Sequence, residues 1–324
     1  MNKERTMQTG GVGKRIAKEY KTELSMLAIF VVFFAVLSFA SPYFLTTKNI
    51  MNVMSQVSST ALMAIGMTLV IITSGIDLSV GSTLGLSGMV GCMVLMNTQN
   101  VILGVAVILV IGMLVGLVNG VLIGYLQLPA FIVTLGTMQI FRSVTQHLTQ
   151  HANPSVPKGF LQIANLKIGS FYIMPILYWL AIAAVLYVVS KRTTFGRHVF
   201  AVGSNIRTAR LSGINVNKVK RRIYMLTGML VAIAAIIQVS RIGSMDYASA
   251  GSGYEMDAIA AVIVGGTSMA GGKGSIVGTV LGMLIIGVMN NLLTLFGVPP
   301  FLREAFKGII VIVAVLLQKK EADA

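Results

Sequence analysis

From Val101 to Tyr125 the chain carries no charged residue, and blocks of this kind recur along most of its length. An apolar run of about 20 residues is what a helix needs to cross ~30 Å of hydrocarbon. Only 11% of the 324 residues are charged and 55% are hydrophobic, with a mean hydropathy of +0.84. A soluble domain carries about 25% charged residues, so water is not the main solvent for this chain. The pattern predicts an all-α fold, a polytopic transmembrane helical bundle of about ten spans near 24–41, 52–73, 83–96, 101–125, 130–149, 172–190, 223–241, 257–271, 275–296 and 304–318. The blocks 83–96 and 257–271 are short for a full crossing and are expected to be half-helices or broken helices, which lipid tolerates only against protein or a water-filled cavity.

The basic residues set an orientation. The net charge is +15, and the bases cluster at the ends of the apolar blocks. This is the positive-inside pattern and excludes nucleic-acid binding as the reason for the charge. The first 23 residues hold six bases and three acids without an apolar run, unlike a cleavable signal peptide, so 1–23 is expected to be a cytoplasmic segment. Segment 191–222 has nine bases and no acid, and Lys319 and Lys320 lie in the tail 319–324. Ten spans put all three on the cytoplasmic side and leave 150–171 and 242–256 outside. Residues 24–318 then form a single transmembrane domain with both termini in the cytoplasm. One cysteine, Cys92, lies in an apolar block, so no disulfide or Cys-based metal site forms within one chain.

Four segments stand out. The first is Gly75 to Ser82, with Asp77 the only acid between Glu23 and Asp246. An acid between long apolar runs is a functional candidate. Asp77 and Ser79 are read as helix cap and gate structure, with direct substrate contact the other reading. The second runs from Asn119 to Gln139, where Pro129 separates two helices and Thr134, Thr137 and Gln139 are expected to hydrogen-bond neighbours. The third is Gly203 to Ile214, expected to be a two-turn helix capped by Ser204 or Asn205 and stopped by Gly213. The fourth, Gly265 to Ser275, superficially suggests a phosphate loop. The pattern fails twice, with Thr267 at the first glycine position and Gly274 after Lys273, and reads as a turn between spans. Glycines 112, 116, 120 and 124 recur every four residues, a spacing for close helix packing. His147 and His151 can share a helix face but have no carboxylate or cysteine with them, so no metal site is expected. A weak echo relates Ala64–Gly85 to Ala258–Gly278.

Taken together, Gly75–Ser82, Leu128–Thr137, Gly203–Ile214 and Gly265–Ser275 resemble the permeases of bacterial ABC importers for ribose, xylose, arabinose and galactose, the ribose type most of all, over about residues 40 to 318. The resemblance implies a non-enzymatic transport subunit of the bacterial inner membrane with no cofactor of its own. It implies three partners: a separate ATP-binding subunit, an external sugar-binding protein and a second permease copy. It also implies that Gly203–Ile214 touches the ATPase, with Asn205, Arg207, Arg210, Leu211, Gly213 and Ile214 as the coupling residues. Asp77, Ser79, Asn119, Thr134 and Gln139 are the candidates for the translocation path or gate. The alternative is an ion-coupled secondary carrier for a small polar solute. It requires intramembrane ionisable groups, and Asp77, Arg142 and Asp257 come nearest. A membrane enzyme needs a constellation of acid, base or metal ligands at one membrane face, which the sequence does not show.

Overall fold

The computed structural model describes residues 41–149, 153–169 and 171–323, with scattered positions between 27 and 39. The segment 1–23, eight of the eighteen residues of the expected span 24–41 and His151 lie outside the described residues. In chain order the helices are α1 (Thr47–Ile72), α2 (Val80–Thr98), α3 (Val101–Gly124), α4 (Ala130–Thr149), α5 (Lys158–Asn165), α6 (Met174–Arg192), α7 (Thr194–Ser204), α8 (Ile206–Leu211), α9 (Val216–Ile242), α10 (Tyr254–Val264), α11 (Ile276–Leu295) and α12 (Pro300–Asp323). Between α5 and α6 two strands, Lys167–Ile168 and Phe171–Tyr172, pair antiparallel, the one departure from an all-helical chain among the described residues.

Six of these helices, α1, α2, α3, α6, α9 and α11, are long and apolar enough to cross a membrane. Every expected span from 52 onward falls on a helix; 83–96 departs from the expected half-helix, 257–271 bears it out, and the connection 191–222 is more helical than expected. The block 83–96 is the 19-residue α2, a full-length helix, because Val80 to Ser82 before it and Asn97 and Thr98 after it continue the helical backbone. The block 257–271 is helical only to Val264, so α10 has 11 residues and is the short helix of the bundle. It stops where Gly265 is followed by Gly266 at φ 82°, a left-handed conformation that an L side chain resists. Segment 191–222 is helical almost throughout, being the end of α6, then α7, α8 and the first two turns of α9.

The helix starts are fixed locally. Thr46, Asn100, Thr193, Asn205, Asn215 and Ser275 each accept a hydrogen bond from the backbone N–H three residues on. Each such cap stabilises its helix by about 1 kcal/mol.

Packing follows the solvent. Helix α1 is buried on all sides from Val57 to Ile72, mostly apolar as a central helix must be, with Ser58, Ser59, Thr60 and Thr68 the polar residues in that stretch. Helix α3 is more apolar still, yet Ile102, Val110, Leu114 and Val118 are exposed, and its buried face is the glycine row. Lipid is as apolar as leucine, so burial alone does not drive helices together there; close contact and hydrogen bonds do. The row 112/116/120/124 lies against α9. A Cβ would sit 2.5 Å from the Gly228 carbonyl oxygen at Gly112, 2.8 Å from that of Arg221 at Gly120, and 2.9 Å from that of Asn217 at Gly124. On the other side of the bundle, the Thr68 and Thr279 hydroxyls meet at 2.6 Å and join α1 to α11.

Candidate functional site

The four segments that stand out in the sequence fold toward one end of α9. Helix α1 ends at Ile72, whose carbonyl accepts the Gly272 N–H at 2.8 Å. The Ser74 hydroxyl donates to the Ala270 carbonyl at 2.9 Å. Gly203 leaves no room for a side chain, since a Cβ there would run into the Ile72 carbonyl oxygen and the Gly272 nitrogen. The link after α1, the end of α7 and the glycine-rich turn therefore form one junction. A cavity of about 350 Å³ opens beside it, lined by Ser74 and Gly75, by Gln127 to Ala130 of the α3–α4 turn, by Ile206 and Arg210 of α8, and by Asn217, Lys220 and Tyr224 of α9.

Just beyond, Asp77 begins a hydrogen-bond chain. Its Oδ1 accepts the Ser79 N–H at 2.9 Å and the Ser79 hydroxyl at 2.6 Å, and Asn119 Nδ2 donates to the Ser79 oxygen at 2.8 Å. All three side chains are buried. The cap expected here forms in altered roles: Asp77 receives the amide, while Ser79 spends its hydrogen on Asp77 and makes no side-chain cap to α2. The Tyr224 hydroxyl donates to the Ile76 carbonyl at 3.0 Å and pins the link to α9. The network joins the start of α2 to α3 and α9 through a non-helical segment, a hinge-like joint held by polar contacts.

Thr134 and Gln139 do not join it. Thr134 and Thr137 are buried, but their hydroxyls bond to the Ala130 and Thr134 carbonyls of their own helix, correcting the expectation of links to neighbours. A threonine on a helix satisfies its hydroxyl on the preceding turn when no partner is placed closer. Gln139 is exposed on α4.

The short helix has its expected caps. Asn205 Oδ1 accepts the Thr208 N–H at 3.0 Å, and Gly213 takes φ 79° as the stop. Leu211 is 89% exposed, and Arg207 and Arg210 are exposed on the same two turns. Ile214 differs from expectation. It is partly buried, packed against the chain's own core.

The other end of α9 gathers the remaining connections. Val156 N–H donates to the Gly243 carbonyl at 3.1 Å, and Tyr247 N–H donates to Asn153 Oδ1 at 3.0 Å. Hydrogen bonds from the Ser249 hydroxyl and the Ala248 N–H hold the exposed Asp246 carboxyl below its ordinary pKa.

One ionic group was not anticipated. Lys307 of α12 lies 2.7 Å from both Asp257 of α10 and Glu304 of its own helix. Lys307 and Asp257 are buried. The signal available in the sequence was Glu304 and Lys307 at i, i+3 in an otherwise apolar span. Asp257 stood out near a span end, but no feature of its neighbourhood pointed to a base about 50 residues away. Among the described residues no group of three or more His, Cys, Asp or Glu is placed to hold a metal.

Residues 49–315 match the family model described as the branched-chain amino acid transport system / permease component. The chain belongs to this permease family. The permease is 42% identical to the ribose import permease protein RbsC of Escherichia coli K12 over 98% of its own length and 99% of that protein. It is 42% identical to RbsC of Bacillus subtilis 168, covering 91% and 92% of the two chains. It is 34% identical to the galactose/methyl galactoside import permease protein MglC of E. coli K12, covering 94% and 96%. No solved structure matches. The permease is thus a multi-pass membrane protein and the permease component of an ABC importer, a transport subunit and not an enzyme. An importer of this class implies an ATPase subunit and a binding protein.

Proposed function

We propose that the permease passes ribose, or a closely related monosaccharide, from an external binding protein into the cytoplasm of a bacterium. The observation that carries this reading is identity of about two residues in five, end to end, with ribose permeases of both E. coli and B. subtilis. Identity to the galactose permease is lower over a similar span. Two copies enclose the path in the inner membrane, with lipid around them. The end of α9 that carries α7, α8 and the glycine-rich turn faces the cytoplasm, as do both termini, for the bases concentrate there.

In this arrangement α8 docks on the ATPase through Asn205 to Gly213. Leu211 is the apolar anchor and Arg207 and Arg210 are rim charges, while Ile214 holds α8 to the bundle. ATP binding and hydrolysis on the partner shift the permease between outward- and inward-open states through differential affinity. Asp77, Ser79 and Asn119 position the start of α2 as part of the gate. Thr134 backs the path from within α4, and Gln139 stands on the α4 face covered by lipid or the second copy. The test is uptake of labelled ribose by cells that lack their own ribose permease and express this chain with its ATPase and binding protein. Ribose uptake inhibited by unlabelled ribose more strongly than by galactose is expected. Galactose uptake without ribose uptake would move the substrate to the other sugar, and uptake without any ATPase would reject the ABC mechanism.

A further inference from the structure

The cavity beside the α1–α7 junction brings two bases together without an acid. Arg210 and Lys220 both line it and repel each other, and among the described residues neither makes an ion pair or a side-chain hydrogen bond. Asp77, the only acid in sequence between Glu23 and Asp246, is buried and turned onto Ser79. Polar groups of Ser74, Gln127 and Asn217 complete the wall. Ser74 and Gln127 hold φ of 57° and 56°, in the left-handed region that non-glycine residues rarely occupy. Beside the polar wall, Leu126, Leu128, Phe131 and Ile132 are exposed on the α3–α4 corner, and Arg221 stacks over Tyr125 at 5.4 Å.

We propose that this cavity binds a phosphate-type anion, the headgroup of an acidic phospholipid of the cytoplasmic leaflet, between Arg210 and Lys220 with the acyl chains along the α3–α4 corner. This rests on the orientation proposed above. Two unpaired bases at a membrane surface attract an anionic headgroup. The apolar rim favours a lipid over free phosphate, which has no use for it. A lipid bound at this point touches α8 and the link after α1 together, so its presence stiffens the joint between the ATPase contact and the gate.

The full-length permease, reconstituted in nanodiscs of equal phosphatidylglycerol and phosphatidylcholine and released into detergent, is examined by native mass spectrometry for retained lipid. The wild type is expected to retain phosphatidylglycerol in preference to phosphatidylcholine. Lys220→Gln is expected to lower that retention about fivefold, the change that about 1 kcal/mol per surface base gives. Asn217→Asp, which adds a carboxylate to the cavity wall, should lower it as well, and Arg197→Gln on α7 should not. Absence of a phosphatidylglycerol preference, or equal loss in Arg197→Gln and Lys220→Gln, overturns the site. Binding of inorganic phosphate that Lys220→Gln abolishes, with no retained phosphatidylglycerol in the wild type, assigns the site to free phosphate and overturns the headgroup as its ligand. Association with the ATPase is measured on the same proteins. If Lys220→Gln keeps its lipid and sheds the ATPase, the cavity belongs to the protein partner and the proposal fails, while the coupling assignment stands.

Discussion

Single residues here act mainly through the space and the hydrogen bonds they leave. Gly116 of α3 faces the Tyr224 carbonyl of α9, where a Cβ has no room, whereas nothing lies within 4 Å of a Cβ placed at Gly136 of α4. Overpacking costs typically 1–3 kcal/mol, and glycine in a helix interior costs about 1 kcal/mol relative to alanine. Gly116→Ala is therefore expected to lower the unfolding temperature in detergent, and Gly136→Ala to leave it unchanged or raise it. Equal effects from the two would contradict the packing of α3 on α9. Asp77 accepts two donors from Ser79, one main-chain and one side-chain. Asp77→Ala leaves both without their acceptor and is expected to destabilise by about 1–3 kcal/mol, while Asp77→Asn, which keeps an acceptor oxygen, should do less. Because Asp77 is read as a structural acid of the gate and not a proton carrier, sugar uptake into vesicles should not acidify the lumen with either wild type or Asp77→Asn. Proton entry stoichiometric with sugar in the wild type alone would reverse that role.

At the scale of elements, two short pieces carry the tests. Helix α8 holds its shape by its own caps and leaves Leu211 nearly fully exposed. Buried apolar anchors dominate an interface and rim charges tune it. Leu211→Asp is expected to release the ATPase, or to leave hydrolysis running without uptake, in a permease of unchanged stability. Arg207→Ala should weaken the association less. If Leu211→Asp leaves both ATPase binding and uptake intact, segment 191–222 is no more than a positive-inside anchor. Helix α12 meets α10 through the buried Lys307–Asp257 pair. Removing one member strands the other, at about 3–5 kcal/mol, whereas replacing both by apolar side chains of similar size is often neutral. Lys307→Met should thus lower the unfolding temperature, and Lys307→Met with Asp257→Leu should recover much of the loss. A double variant as unstable as the sum of its parts would show that the two charges do not act as a pair.

Over the whole molecule, the connections sort into two groups at the two ends of α9. Asn153 and residues 243–247 meet at its C-terminal end, Ala250 and Gly251 folding back from there against Gly85 and Gly81 of α2, and α7, α8 and the glycine-rich turn meet near its N-terminal end. Helix α9 has 27 residues, about 40 Å at 1.5 Å each, enough to separate two membrane faces. In a background with Cys92 replaced, single cysteines at Asn153 and Ser249 are expected to react with a membrane-impermeant thiol reagent added to whole cells, and one at Ser204 only after the membrane is opened. Labelling of Ser204 in intact cells would invert the proposed topology.

The sequence by itself determined that the chain is a helical membrane bundle, where most helices lie, how α8 is capped, and where the bases concentrate. Those properties follow from local composition and from side chains within a turn of each other: a charge-free block is apolar wherever it packs, and Asn205 caps α8 without help from elsewhere. It also marked Asp77, Ser79 and Asn119, though not that their side chains form one chain of hydrogen bonds. Only the tertiary structure decided that joining, the inward turn of Ile214 and the pairing of Lys307 with Asp257. Each depends on which surfaces meet across long stretches of sequence. In lipid that choice is made by close fit and polar contacts between helices, and an apolar periodicity, with nothing to distinguish core from lipid, leaves it unwritten.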